Sequence, residues 1–95
     1  SKFPGTSRDL AIVAPVSVSS GEILSIIKEH GGEYLESASI FDVYEGEHVG
    51  ENKKSIAISL LFEDPSRTLD DQTINKAVEN ILERIEKEFN AKLRQ

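Results

Sequence analysis

The chain has 95 residues, enough for one domain with a single modest core, and its 38 % hydrophobic and 29 % charged residues are ordinary for a soluble globular domain. A formal net charge of −6 argues against a general nucleic-acid binder, which usually carries a basic surface, but leaves room for a small local RNA contact. Cysteine is absent, which excludes disulfides, thiolate nucleophiles and zinc–thiolate sites; no apolar run approaches the roughly 20 residues that a bilayer span needs, and no basic-then-apolar leader is visible.

Ser1 to Ser7, with Pro4 and Gly5, is an entry segment, and its abrupt opening suggests a piece cut from a longer protein. Arg8 to Val18 is expected to form the first strand. Leu10, Ile12 and Ala14 would face the core and Asp9, Ala11 and Val13 the far side, with Pro15 marking an end or an edge because it has no ladder donor. Ser19-Ser20-Gly21-Glu22 has the spacing of a capping box, with Ser19 as N-cap and Glu22 reaching back. The helix that follows carries an apolar stripe of Ile23, Ile26, Ile27 and His30, and Gly31-Gly32 ends it.

A second strand runs from Tyr34 or Leu35 to Glu45 and a third from Lys53 to Glu63, joined by a polar loop holding Gly46, Gly50 and Asn52; together they read as an antiparallel hairpin with a long connection. Strict alternation puts Phe41 and Val43 on the core side and Ile40, Asp42 and Tyr44 on the other. In the third strand Ile56, Ile58, Leu60 and Phe62 share the core side, and Ser55, Ala57, Ser59 and Leu61 the opposite one. Asp64-Pro65-Ser66 is a turn. Thr68 is expected to cap the second helix, with Asp70 and Asp71 in its first turn; its stripe is Ile74, Ala77, Val78, Ile81, Ile85 and Phe89. Ala91 to Arg94 is long enough for one short final strand with Leu93 inward and Lys92 and Arg94 outward.

The order β-α-β-β-α-β closes most naturally as an α+β, ferredoxin-like βαββαβ sandwich: a four-stranded antiparallel sheet with two helices on one face, spanning residues 1–95 as one domain. The open face is then what the core leaves over: Asp9, Ala11 and Val13, Ile40, Asp42 and Tyr44, Ser55, Ala57, Ser59 and Leu61, and Lys92 and Arg94.

Phe3-Pro4, Arg8-Asp9-Leu10-Ala11, Leu35-Glu36-Ser37, Phe41-Asp42-Val43-Tyr44-Glu45-Gly46, Lys53-Lys54-Ser55, Arg67-Thr68-Leu69 and Leu93-Arg94 follow one another in an order and spacing that resembles a known module. It is the ferredoxin-fold anticodon-binding domain at the C-terminus of the bacterial phenylalanyl-tRNA synthetase β subunit, and the resemblance covers essentially the whole chain. It implies that the open face meets the anticodon of tRNA-Phe, with contacts falling on Ala11, Tyr44, Ser55 and Arg94, residues already assigned to one surface by alternation. It also implies a cytoplasmic parent heterotetramer in which the α subunit holds the active site and ligates phenylalanine to tRNA with ATP and Mg. The domain itself would be no enzyme and would hold no cofactor or metal, its partners being tRNA and the α subunit, with neither membrane nor DNA. The loop from Glu47 to Asn52 departs from the family by lacking a proline.

Each site has a plainer reading beside this one. Tyr44 can stack on a base, yet tyrosine is also a common exposed strand former. Ser55 can bond a base edge and Arg94 a phosphate, and both also read as surface residues; Ala11 would act by being small. Arg8-Asp9 reads as an RNA contact or, at least as readily, as a local ion pair or a structural turn. His30 reads as capping helix carbonyls, His48 as exposed, and Asp70-Asp71 as the start of a helix rather than a metal pair. No Walker-type loop, Cys–His pair or Ser–His–Asp set is present. Two other functions suit the same architecture. A regulatory module binding a small molecule would want a glycine-rich turn after the first strand, where Pro15-Val16-Ser17-Val18 stands. An acylphosphatase-like enzyme would want an arginine-bearing cradle where Gly21-Glu22 stands.

Overall fold

The computed structural model describes residues 3–94; Ser1 and Lys2 of the entry segment lie outside the described residues. Six elements follow in the order β1 (Thr6–Pro15), α1 (Ser20–His30), β2 (Leu35–Tyr44), β3 (Lys53–Phe62), α2 (Asp71–Phe89) and β4 (Lys92–Leu93). The strands form one antiparallel sheet in the order β2-β3-β1-β4. This is the ferredoxin-like sandwich that the element order implies, with both helices packed on one sheet face and the other face free.

The core is aliphatic. Ile12 and Ala14 of β1 and Ile56, Ile58, Leu60 and Phe62 of β3 meet Ile23 and Ile27 of α1 and Ile74, Ile81 and Ile85 of α2, all of them buried. β-Branched isoleucine suits both the pleated strands and a tightly packed layer. Pro15 closes β1 without cost to the ladder. Ala11, two pairs of residues back, accepts from Arg94 on the β4 side, so Pro15 also faces that side, beyond the two residues of β4; the donor it lacks has no strand to meet.

Strand β2 departs from simple alternation. Ile40 lies opposite Ile58 and packs on the core, whereas Asp42 lies opposite Ala57, so Phe41 is an extra residue in a β-bulge. Phe41 is 60 % exposed rather than buried, and Ile40 is on the core side rather than the open one. These two positions correct the expectation from strict period two. Beyond the bulge the alternation resumes with the faces as expected: Val43 opposite Ile56, and Tyr44 opposite Ser55.

The helix ends follow from local chemistry. Ser19 accepts from the Glu22 N–H at 3.1 Å, so the N-cap half of the capping box is present; the Glu22 carboxylate reaches back to the Ser19 hydroxyl rather than to its backbone N–H. Gly32 takes the left-handed φ of 87° at the exit, which glycine adopts without strain. The second helix starts two residues later than Thr68 would place it. Asp70 is its N-cap, accepting from the Thr73 N–H at 2.8 Å, and Asp71 alone remains in the first turn. The preceding Leu69 and the later Ile74 are both buried in the core, the pairing of a hydrophobic staple, which favours starting at Asp70. Asn90 closes α2 in the left-handed region, its N–H donating to the Glu86 carbonyl at 2.9 Å.

Candidate nucleic-acid interface

The open face is built from β1, β3 and the far half of β2. Antiparallel partners share a face, so the pairs Asp9–Ser59, Ala11–Ala57 and Val13–Ser55, together with Asp42–Ala57 and Tyr44–Ser55, define it. Lys92 lies opposite Val13 and adds a cation from β4; Lys53, two residues before Ser55, adds another from β3. Most side chains at the centre are small, so the backbone of the sheet is approachable there.

The four residues expected at the site form one connected group. The Arg94 N–H donates to the Ala11 carbonyl at 2.7 Å, extending the β1–β4 ladder past Leu93. The Arg94 Nη1 donates to the Ser55 Oγ at 3.2 Å. Ser55 in turn is the cross-strand partner of Tyr44, which is 40 % exposed. Arg94 is exposed and Ala11 is half-buried. Ser55 departs from the expected surface position: it belongs to the open face by register, yet it is only 5 % exposed.

Three features of this face were not singled out from the sequence. The first is Gly46. A Cβ placed there would stand 2.5 Å from the Tyr44 Cζ and overlap its hydroxyl, so the outer end of the ring lies against the glycine backbone. No sequence signal pointed to it, since Gly46 lies past the end of β2, at the start of a turn closed by the Val49 N–H, where glycine is common for its own sake. The second is Lys53, which alternation with Ser55 puts on the open face. The third is Phe41: in a bulge, both residues opposite the single partner turn to one side, so Phe41 joins Asp42 and Ala57 on the open face. Only the bulge reveals this.

Several charged residues elsewhere are engaged structurally. Arg8 pairs with Asp71 at 3.5 Å, rather than with Asp9. His30 accepts from the Arg84 Nε at 3.2 Å; this contact between the helices takes the place of the carbonyl cap expected for it. Asp64 accepts from the Ser66 N–H and hydroxyl and pairs with Arg67, which hold its carboxyl below the usual aspartate range. Among the described residues no group of three or more His, Cys, Asp or Glu is gathered that could hold a metal ion, and no helix is long and apolar enough to cross a membrane.

Residues 1–94 match the family described as the ferredoxin-fold anticodon binding domain. The chain belongs to that family. It is 44 % identical over 93 residues to the phenylalanine–tRNA ligase beta subunit of Bacillus subtilis, a stretch covering 98 % of this chain and 12 % of the relative. It is 48 % identical over 87 residues to the protein of that name from Staphylococcus saprophyticus, covering 92 % of this chain and 11 % of the relative. The Haemophilus influenzae protein is 46 % identical over 94 residues, covering 99 % of this chain and 12 % of the relative. The chain therefore spans about an eighth of the length of these ligase subunits, as a ferredoxin-fold module.

Proposed function

We propose that this chain is the anticodon-recognition module of a phenylalanine–tRNA ligase β subunit and that its open sheet face holds the anticodon of tRNA-Phe. The reading rests most on one observation: Ala11, Tyr44, Ser55 and Arg94 converge on the helix-free face and are joined to one another by register and hydrogen bonds. Tyr44 offers a half-exposed ring beside a sheet of small side chains, so an unstacked base can lie on it. Lys53, Lys92 and Arg94 at the same end offer charge to the backbone of the loop. The Glu-rich α2, with five acidic and three basic residues, is on the other side of the sheet, which keeps its excess negative charge away from the RNA.

In the parent ligase, phenylalanine would be joined to tRNA with ATP and Mg in the α subunit of a cytoplasmic heterotetramer. The present residues supply selection of the tRNA rather than the chemistry. Selection by a loop of unpaired bases suits a sheet platform, because RNA is read most readily where bases are free of a duplex.

Titration of the chain with the tRNA-Phe anticodon stem-loop tests the reading. Tyr44→Ala should weaken binding by about 1–3 kcal/mol, the usual loss of an aromatic stacking partner. Its folding stability should fall by about 1 kcal/mol or less, as for an exposed strand position. Tyr44→Phe should retain most of the affinity. Three phosphate contacts would give a log–log salt slope of about −2 on a single strand. If Tyr44→Ala binds the stem-loop as the wild type does, the stacking face is not where the RNA lies.

A further inference from the structure

We infer that Ser55 is a positioning residue for Arg94, and that its hydroxyl aims the guanidinium at RNA. The inference rests on the anticodon-binding reading and deepens it. Ser55 is only 5 % exposed, although register puts it in the middle of the open face, and Arg94 lies over its hydroxyl. Among the described residues the Ser55 side chain is bonded to Arg94 alone, accepting from the Nη1 at 3.2 Å.

The path of Arg94 gives that bond its meaning. Ser55 is on β3 and Arg94 follows β4, with β1 between them, so the Arg94 side chain, the hydrogen bond and the Ser55 side chain together span two interstrand spacings, ~9.5 Å. It leaves a backbone held at the Ala11 carbonyl and ends level with Val13, the partner of Ser55. The crossing therefore runs diagonally over β1 between Ala11 and Val13. Ala11 is small enough to leave that route clear, which gives its size a role besides admitting a base. Both ends of Arg94 are thus tied: the main chain to β1, the side chain to β3. Arginine carries five N–H donors in a planar fork. Ser55 takes one, and the others remain available on an exposed residue. A fork held in one orientation loses less freedom when it meets a phosphate or a base edge than one free to swing.

The test is a double-mutant cycle on stem-loop affinity with Ser55→Ala, Arg94→Ala and the pair, joined to a measurement made without RNA. In the wild-type background Ser55→Ala should weaken binding about three- to tenfold, the scale of one lost hydrogen bond. In the Arg94→Ala background it should change affinity less than about twofold, since the group through which it acts is gone. An equal loss in both backgrounds would mean that Ser55 contacts the RNA independently. No loss in either would mean that it has no part in binding; both results overturn the inference. In the RNA-free chain, side-chain ¹⁵N relaxation of the Arg94 Nε–H should show greater mobility in Ser55→Ala and wild-type order in Ser55→Thr, which keeps the hydroxyl. Unchanged order in Ser55→Ala overturns the inference whatever the RNA data show. Failure of the anticodon reading looks different: the wild-type chain would bind the cognate stem-loop no better than one with a scrambled loop, while the relaxation measurement would still decide whether Ser55 orients Arg94.

Discussion

Strand β3 has two neighbours, and it pairs with them in different ways. Its ladder with β1 runs through ten consecutive pairs, from Thr6–Phe62 to Pro15–Lys53, without a break. Its ladder with β2 shifts register twice, between Leu35 and Ser37 and between Ile40 and Asp42. The reason is position in the sheet. β1 and β3 are the two central strands, and an extra residue in either would disturb the ladders on both sides of it. β2 is an edge with nothing beyond it, so an inserted residue can swell outward. Central strands therefore obey alternation strictly, while an edge strand can absorb one residue and continue. The bulge also twists an edge that carries exposed Phe41, Val43 and Tyr44, which discourages another chain from pairing there.

Deleting one residue from each strand is the strongest way to break this comparison. Deletion of Ala57 from β3 exchanges the faces of all residues on one side of the gap and should abolish cooperative thermal unfolding. Deletion of Phe41 removes the extra residue and keeps Ile40 inward, Asp42 outward and Tyr44 outward. That variant should fold and melt cooperatively, with a modest loss of Tm. Equal damage from the two deletions would show that the bulge is as rigidly required as the central ladder.

Truncation of side chains gives the next effect. Ile58→Ala, at a fully buried central position, should cost about 2–5 kcal/mol in denaturant unfolding. Val43→Ala faces the same side of the sheet, but at 46 % exposure near the end of the edge strand it should cost about 1 kcal/mol or less. Comparable losses would mean that β2 is as well covered as β3.

Gly46→Ala sharpens the comparison at the end of the edge strand. Gly46 is not among the glycines with positive φ, so alanine suits its backbone, and the nearest obstacle is the Tyr44 ring. Displacing the ring should lower stem-loop affinity towards that of Tyr44→Ala. In the Tyr44→Ala background the same change should become stabilising by about 0.4–1 kcal/mol, the usual gain from Gly→Ala at a compatible site. The sign of the Gly46 effect on unfolding, measured in both backgrounds, checks the contact.

The smallest expected effect is on pH dependence and comes from the connection between β3 and α2. The Asp64 carboxyl is lowered by the Ser66 N–H and hydroxyl, and the Asp70 carboxyl by hydrogen bonds from the Thr73 side chain and N–H. Lowered groups bind protons more weakly in the folded chain than in the unfolded one. Their contribution is thus complete above the ordinary aspartate value of 3.8 and is lost as pH falls through the lower native values. Thermal unfolding followed down in pH should show a shallower acid loss in Asp70→Asn, which can still cap the helix but does not titrate. An unchanged acid slope would mean that this cap does not couple to stability.

The order and type of the elements, the N-cap at Ser19, the apolar stripe of α2 and the two faces of β1 and β3 were all legible in the sequence, because each depends on periodicity or on chemistry within a few residues. So was the gathering of Ala11, Tyr44 and Arg94 on one face, since alternation carries a side chain's direction along a strand. The facing of Ile40 and Phe41 was not legible: the residues 40–44 alternate acceptably in either sense, and the extra residue shows only where Asp42 meets Ala57 across the ladder. The cap of α2 is misplaced at Thr68 by local pattern; Asp70 is distinguished only by the packing that buries both Leu69 and Ile74 in the core. The burial of Ser55 and its bond to Arg94 lay furthest from view, joining residues on strands that are not adjacent in the sheet. Local pattern assigns a side chain to a face; only the packed sheet decides what lies across it.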